Sequence, residues 1–170
     1  MKALWQRVRA PSRIHLGLLG AAIAYWLADP TPRSILIGSL VALPGELLRI
    51  WASGHLVKER EVTRSGPYRW VRHPLYLGSG VIGLGFVIAA NSVLSAVAVS
   101  VYMAVTLRAA IRYEEATLAK RHGEEYLAYR AGTAAPMDRT FSFERVMRNR
   151  EYRAVIGFGV GVGLLWLRRL

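Results

Sequence analysis

The chain has 170 residues, is 53% hydrophobic and carries a formal net charge of +12. That length supports one domain, and the two compositional facts coexist when apolar helices sit in a bilayer with basic residues at its cytoplasmic face. The absence of cysteine excludes disulfides, thiolate nucleophiles and Cys-ligated metals, while apolar runs this long, with the basic residues between them, argue against nucleic acid as a partner.

In chain order, the first apolar run covers 14–28. It is uncharged, has no A-x-A-like exit and ends at a turn-forming Asp29-Pro30-Thr31-Pro32, so it does not read as a cleavable signal. The second run, 34–52, contains Pro44, Glu46 and Arg49. The third, 75–90, is Gly-rich, and the fourth, 92–110, is rich in Ala, Val and Ser. A bilayer crossing takes about 20 helical residues, so the shorter runs recruit flanking residues or cross a thinner region. The connections at 29–33 and at Asn91 are short and predict two antiparallel helical hairpins.

Charge sets the orientation. Lys2, Arg7, Arg9 and Arg13 precede the first run; Lys58, Arg60, Arg64, Arg69 and Arg72 follow the second; Arg112, Lys120, Arg121, Arg130 and Arg139 follow the fourth. The positive-inside rule places the N-terminus and both long loops in the cytoplasm. The last apolar run, 154–167, is about 21 Å long as a helix and ends in Arg168-Arg169, which a fifth crossing carries to the far side. The balance favours a short fifth span, preceded over 145–153 by a basic interfacial helix facing anionic headgroups. The expected fold is an all-α integral membrane protein, a bundle of four to five transmembrane helices with a cytoplasmic cofactor pocket. It divides into an N-terminal hairpin (1–53), a core (54–131) and a basic linker with a C-terminal apolar helix (132–170).

Four sets of residues are candidates for chemistry. His73 stands before Pro74, which favours a helix starting at the proline with His73 just outside. The free N–H groups of Leu75 and Tyr76 then make an anion-receiving end. Capping alone also accounts for this dipeptide. Glu114-Glu115 is expected just past the fourth helix, where two acids oppose the helix dipole and need a compensating arginine or a cation. Arg108 and Arg112 are within reach. Glu46 and Arg49, spaced i, i+3, predict a neutralising pair on the second helix, which Pro44 should kink. Tyr68, Trp70 and Tyr76 suit either interfacial anchoring or stacking on a ligand. His15, His55 and His122 have no metal-ligand spacing, and no metal is expected.

In order along the chain, Gly66-x-Tyr68, Arg72-His73-Pro74-x-Tyr76-x-Gly78, a hairpin, Glu114-Glu115 and Gly123-x-x-Tyr126-x-x-Tyr129 resemble the isoprenylcysteine carboxyl methyltransferase family and, more broadly, membrane phospholipid methyltransferases. The resemblance covers about 60–131. It implies an integral membrane enzyme using S-adenosylmethionine to methylate a lipophilic acceptor, such as a prenylated or other lipid substrate, among membrane lipids. By position, Val62, Thr63, Tyr68, His73, Pro74, Leu75, Tyr76, Glu114 and Glu115 would hold the cofactor, and Gly123, Tyr126 and Tyr129 would close over it. The chain departs from the pattern at His122, where the family often has Phe, and over 131–137. Ala110 falls near the family's substrate-orienting arginine, leaving Arg108 and Arg112 as its nearest counterparts. Sterol reductases, which use NADPH, are distantly similar but have Arg-His-x-Asn-Tyr without the equivalent of Pro74. A non-enzymatic membrane scaffold explains the helices but not the ordered polar motifs.

Overall fold

The computed structural model describes residues 20–58 and 60–170. The expectations at Lys2, Arg7, Arg9, Arg13 and His15, and for 14–19 of the first apolar run, lie outside the described residues. Among the described residues the chain is helical, with no strand.

Helix α1 occupies 20–26. Helix α2, Pro32–His55, begins at a reciprocal capping box: Thr31 Oγ1 accepts from Ser34 N (3.0 Å) and Ser34 Oγ accepts from Thr31 N (2.9 Å), with Pro32 in the first turn. The helix is continuous through Pro44, whose ring lies on the exposed side. A 3-10 turn at Gly66–Arg69 leads to α3, Pro74–Ala90, which starts at the proline with His73 as its N-cap. Asn91, in the left-handed region at φ 49°, ends α3, and Ser92 caps α4, Val93–Ala131. The tight α3–α4 turn is the second predicted hairpin. After an extended stretch come α5, Phe143–Arg148, and α6, Tyr152–Arg169.

Helices α2 and α3 make the main contact of the bundle. They are antiparallel and meet backbone to backbone at two glycine pairs, Gly38 with Gly85 and Gly45 with Gly78. A Cβ added to Gly45 would stand 2.6 Å from the Gly78 carbonyl oxygen and 2.9 Å from Val81 Cβ. Both pairs are spaced by seven residues, so two turns of each helix present glycine to the other. Without a hydrophobic force between helices in lipid, close packing of small residues of this kind holds them together.

Among the described residues, two helices are long and apolar enough to cross a membrane, α2 and α4; α3 is shorter, at 17 residues. Leu36, Leu40, Leu47, Val97, Val101, Val105, Ile156 and Val160 all point outward. Apolar surface on that scale suits a hydrocarbon solvent. The buried cluster of Ala28, Ile35, Ala89, Ala90 and Leu165 sits at the end of the bundle holding the two tight turns.

Helix α6, about 27 Å long at 18 residues, runs alongside α2 from that helix's C-terminal end to the turn end. There Arg168 donates to the carbonyls of Trp26 and Ala28 (both 2.8 Å) and lies 5.4 Å over the Tyr25 ring. Its charge is thus spent on orphan carbonyls at the α1 terminus. The single basic helix expected over 145–153 is broken: α5 ends at Arg148, Arg150 takes φ 58°, and α6 starts at Tyr152. Two residues of that segment are instead used as caps. Asn149 donates to the carbonyls of Ser53 and Leu56 (both 2.9 Å), and Arg145 to that of Gly54 (2.6 Å). Arg139 adds a bond to the His55 carbonyl (3.0 Å). The last carbonyls of α2 are thereby satisfied by cations and an amide from the C-terminal strap, the favourable sign for a helix C-terminus.

Candidate active site

The polar end of the bundle is built by the loop before α3, the first turn of α3 and the second half of α4. Helix α4 does not stop where its hydropathy falls. Residues 111–122 hold no Gly or Pro and several strong helix formers, so the helix continues. Glu114 and Glu115 are therefore helix-interior residues, which corrects the expectation that they lie past the helix end against its dipole. The compensating charge comes from across the hairpin. His73 Nε2 is 3.1 Å from Glu115 Oε1, and Arg72 Nη1 is 3.7 Å from the same oxygen. Residues 42 apart in sequence, one from each half of the motif set, thus meet directly. Glu114, one position earlier, faces the phenols of Tyr76, Tyr68 and Tyr129.

The helix breaks at Gly123, where φ is 45° and ψ −119°. This backbone is open essentially to glycine alone. The break turns 124–131 back towards the loop. Tyr126 becomes 1% exposed, and Tyr129 donates its hydroxyl to the Tyr68 carbonyl at 2.9 Å. Burial, with Glu114 adding to it, pushes the Tyr68 phenol well above the usual tyrosine range, so it stays a neutral donor. Arg64 pairs with Glu125 at 3.3 Å, a second tie between loop and returned segment.

Two cavities meet here. A cleft of about 380 Å³ lies between the loop and the returned segment, lined by Arg64, Tyr68, Arg69, Trp70, Tyr129 and Arg130 among others. A groove of about 530 Å³ runs between α3 and α4, from His73 and Tyr76 to Leu84 and Leu107. Arg72 lines both. Buried polar atoms nearby without a hydrogen-bond partner among the described residues include Arg64 Nε, His73 Nδ1 and His122 Nε2.

The family comparison fits this geometry. Residues 49–125 match the phospholipid methyltransferase family model. The resemblance read from the ordered motifs is thereby confirmed, and the match points to a membrane methyltransferase. No curated protein and no solved structure matches the chain. The phospholipid methyltransferase segment opens at Arg49 in α2 and closes at Glu125 just past the Gly123 break, so it contains Arg72, His73, Glu114, Glu115 and both walls of the groove.

Within and around that segment, the remaining candidate residues fall as follows. Val62, Thr63 and Pro74 are buried in the loop packing, where Thr63 donates to Glu61 (3.3 Å). The Leu75 carbonyl accepts from Arg49 (3.3 Å) and Ser79 (2.9 Å). Arg108 and Arg112 are exposed on α4, and neither lines the groove. The predicted Glu46–Arg49 pair is not formed. Arg49 instead binds Glu151 at the start of α6, at 2.6 Å, and reaches into α3 through Leu75 and Ser79. Glu46, 3% exposed, has neither carboxylate oxygen hydrogen-bonded among the described residues. Glu151 is a hundred positions downstream and displaces the local partner because the α2–α6 contact brings it against the guanidinium. The sequence reading missed Glu151, the glycine pairs of α2 and the bridging position of Arg72. Of these, only the glycines had a readable signal, their seven-residue spacing in both helices.

Proposed function

We propose that the chain is an S-adenosylmethionine-dependent methyltransferase acting on a lipophilic acceptor at the membrane face. The observation that carries this reading is the His73–Glu115 contact inside a segment matching phospholipid methyltransferases, since it joins the two halves of the motif set into one site. Helices α1, α3 and α6 would complete a bundle of four to five spans, with the N-terminus and the site in the cytoplasm.

The residues between the cleft and the head of the groove fit the cofactor's polar groups. Glu114 lies among phenols and supplies an anion for an ammonium or ribose hydroxyls. His73 Nδ1, buried and unpartnered, and the N–H groups of Leu75 and Tyr76 in the first turn of α3, just after Pro74, offer donors for a carboxylate. Val62 and Thr63 would act through the loop backbone, and Tyr68 and Tyr129 would enclose the ligand. When bound, the cofactor supplies an electrophilic methyl group on a sulfonium. Transfer of that methyl would need the acceptor aligned with it and water excluded. A carboxylate acceptor needs only orientation, for which Arg108 and Arg112 are candidates from the sequence; an amine acceptor must also lose a proton, which requires a base.

Titration calorimetry with S-adenosylhomocysteine on the detergent-solubilised chain tests the reading. We expect stoichiometric binding that His73→Ala and Glu114→Gln each weaken. Absence of binding to well-folded protein sinks it. Labelled S-adenosylmethionine with a membrane extract then identifies the class of acceptor.

A further inference from the structure

We propose that the α3–α4 groove holds the hydrocarbon chain of the methyl acceptor and that Arg72, at its polar end, binds the acceptor's anionic oxygen group. The proposal rests on the methyltransferase reading above and adds to it the residue that orients the acceptor.

Among the described residues, Arg72 is the only arginine bordering both the groove and the cleft, where acceptor and methyl donor would meet. Its bond to Glu115 is loose, 3.7 Å, and its side chain is 48% exposed. Glu115 is held more closely by His73, at 3.1 Å. The guanidinium therefore keeps donors free in a planar fork, the arrangement that takes a carboxylate or phosphate bidentately. Arg108 and Arg112 do not line the groove and stand on the exposed side of α4.

Past Arg72 the walls turn apolar: Leu77, Val81 and Leu84 on α3, Leu107 and Ile111 on α4. From Pro74 to Leu84, α3 rises about 15 Å, room for an extended chain on the order of a dozen carbons. The floor is Gly80, and a Cβ there would meet nothing within 4 Å. The apolar stretch of α4 has only 6% of its residues buried, so this wall faces whatever surrounds the bundle, and for a helix long and apolar enough to span, that is lipid. A lipid slides in from the side, its headgroup stopping at Arg72 on the rim.

The test uses the full chain in nanodiscs and three lipids carrying a diazirine midway along the chain: a phosphatidylethanolamine, a farnesylcysteine and an uncharged diacylglycerol. We expect photolabelling concentrated at 77–84 and 107–111, stronger for the two probes whose headgroups carry an oxyanion than for diacylglycerol. The better of those two shows whether the oxyanion is a phosphate or a carboxylate. Arg72→Gln lowers labelling by about fivefold or more, with Arg72→Lys between it and the parent, because lysine keeps the charge but not the fork. Gly80→Leu fills the floor and lowers labelling by all chains. Equal labelling by diacylglycerol, or labelling spread evenly over the helices and indifferent to Arg72→Gln and Gly80→Leu, overturns the proposal. S-adenosylhomocysteine binding, measured on every variant, reports folding. If it fails in the parent while labelling maps to the groove, the lipid site stands and the methyltransferase reading falls. If it holds while labelling is diffuse, only this proposal falls.

Discussion

Replacing Gly123 with alanine isolates one backbone angle as the hinge of the site. No atom lies within 4 Å of a Cβ built there, so the substitution introduces no clash and acts only through φ 45°, ψ −119°. A non-glycine residue in such a region costs about 1–3 kcal/mol. Opposing it are the burial of Tyr126, worth about 1.5–3 kcal/mol for a large side chain, and the Tyr129–Tyr68 hydrogen bond, about 1 kcal/mol. The returned segment should thus remain the major state but open about 5- to 150-fold more often. Hydrogen exchange of amides 124–131 in detergent reads this directly, with S-adenosylhomocysteine affinity falling in parallel if the segment covers the cleft. Unchanged exchange over 124–131 would show that the turn does not depend on glycine, and the hinge argument would be wrong.

Three further outcomes follow from packing and charge. Gly45→Ala forces a methyl against the Gly78 carbonyl and should cost about 1–3 kcal/mol in denaturation from mixed micelles, whereas Gly80→Ala, in open space, should be near neutral; equal effects would refute the backbone-contact seam. Arg49→Met leaves Glu151 buried without its partner and should cost about 3–5 kcal/mol; a change within about 1 kcal/mol would mean the pair does not tie α6 to α2. Glu61, held below the usual carboxylate range first by its hydrogen bonds from Arg139, binds its proton more weakly folded than unfolded. Its contribution is present above the unfolded value of about 4.3 and is lost as pH falls through the lower folded value. Limited proteolysis of 132–142 should therefore rise in that acid window, and Glu61→Gln should raise it already at neutral pH; a parent chain equally resistant at both pH values would contradict the link.

Much of the site was readable because its determinants are local. Proline after histidine starts α3 at Pro74, Thr31 with Pro32 starts α2, and Asn91 stops α3, each through the backbone of one or two residues. Ordered motifs anticipated that the His73 loop and the Glu114-Glu115 segment belong together, and the ion pair between them follows from the tight hairpin. Where the reading failed, hydropathy had been taken for helicity, as at 111–122, where polar helix formers extend α4 beyond its apolar stretch. It also failed where the nearest charge in sequence was taken for the partner. Arg49 had Glu46 one turn away, yet tertiary packing offered it Glu151. The role of 132–149 as a strap was equally hidden, since Arg139 read as a cytoplasmic loop charge, and Arg145 and Asn149 as part of an interfacial helix, until the bare carbonyls they cover are known.

That strap also imposes an order on how the molecule is made. Its caps lie 84 to 96 residues downstream of the carbonyls they satisfy in α2. At a synthesis rate of about 5–20 residues per second, roughly 4–20 s separate the emergence of the α2 terminus from that of its partners. During that interval the end of α2 has only water or headgroups for its last carbonyls, and the loop that becomes the site has no fixed floor. The hairpins can form as they emerge, but the site takes its shape last, when the strap arrives. Assembly and activation are in this sense a single event.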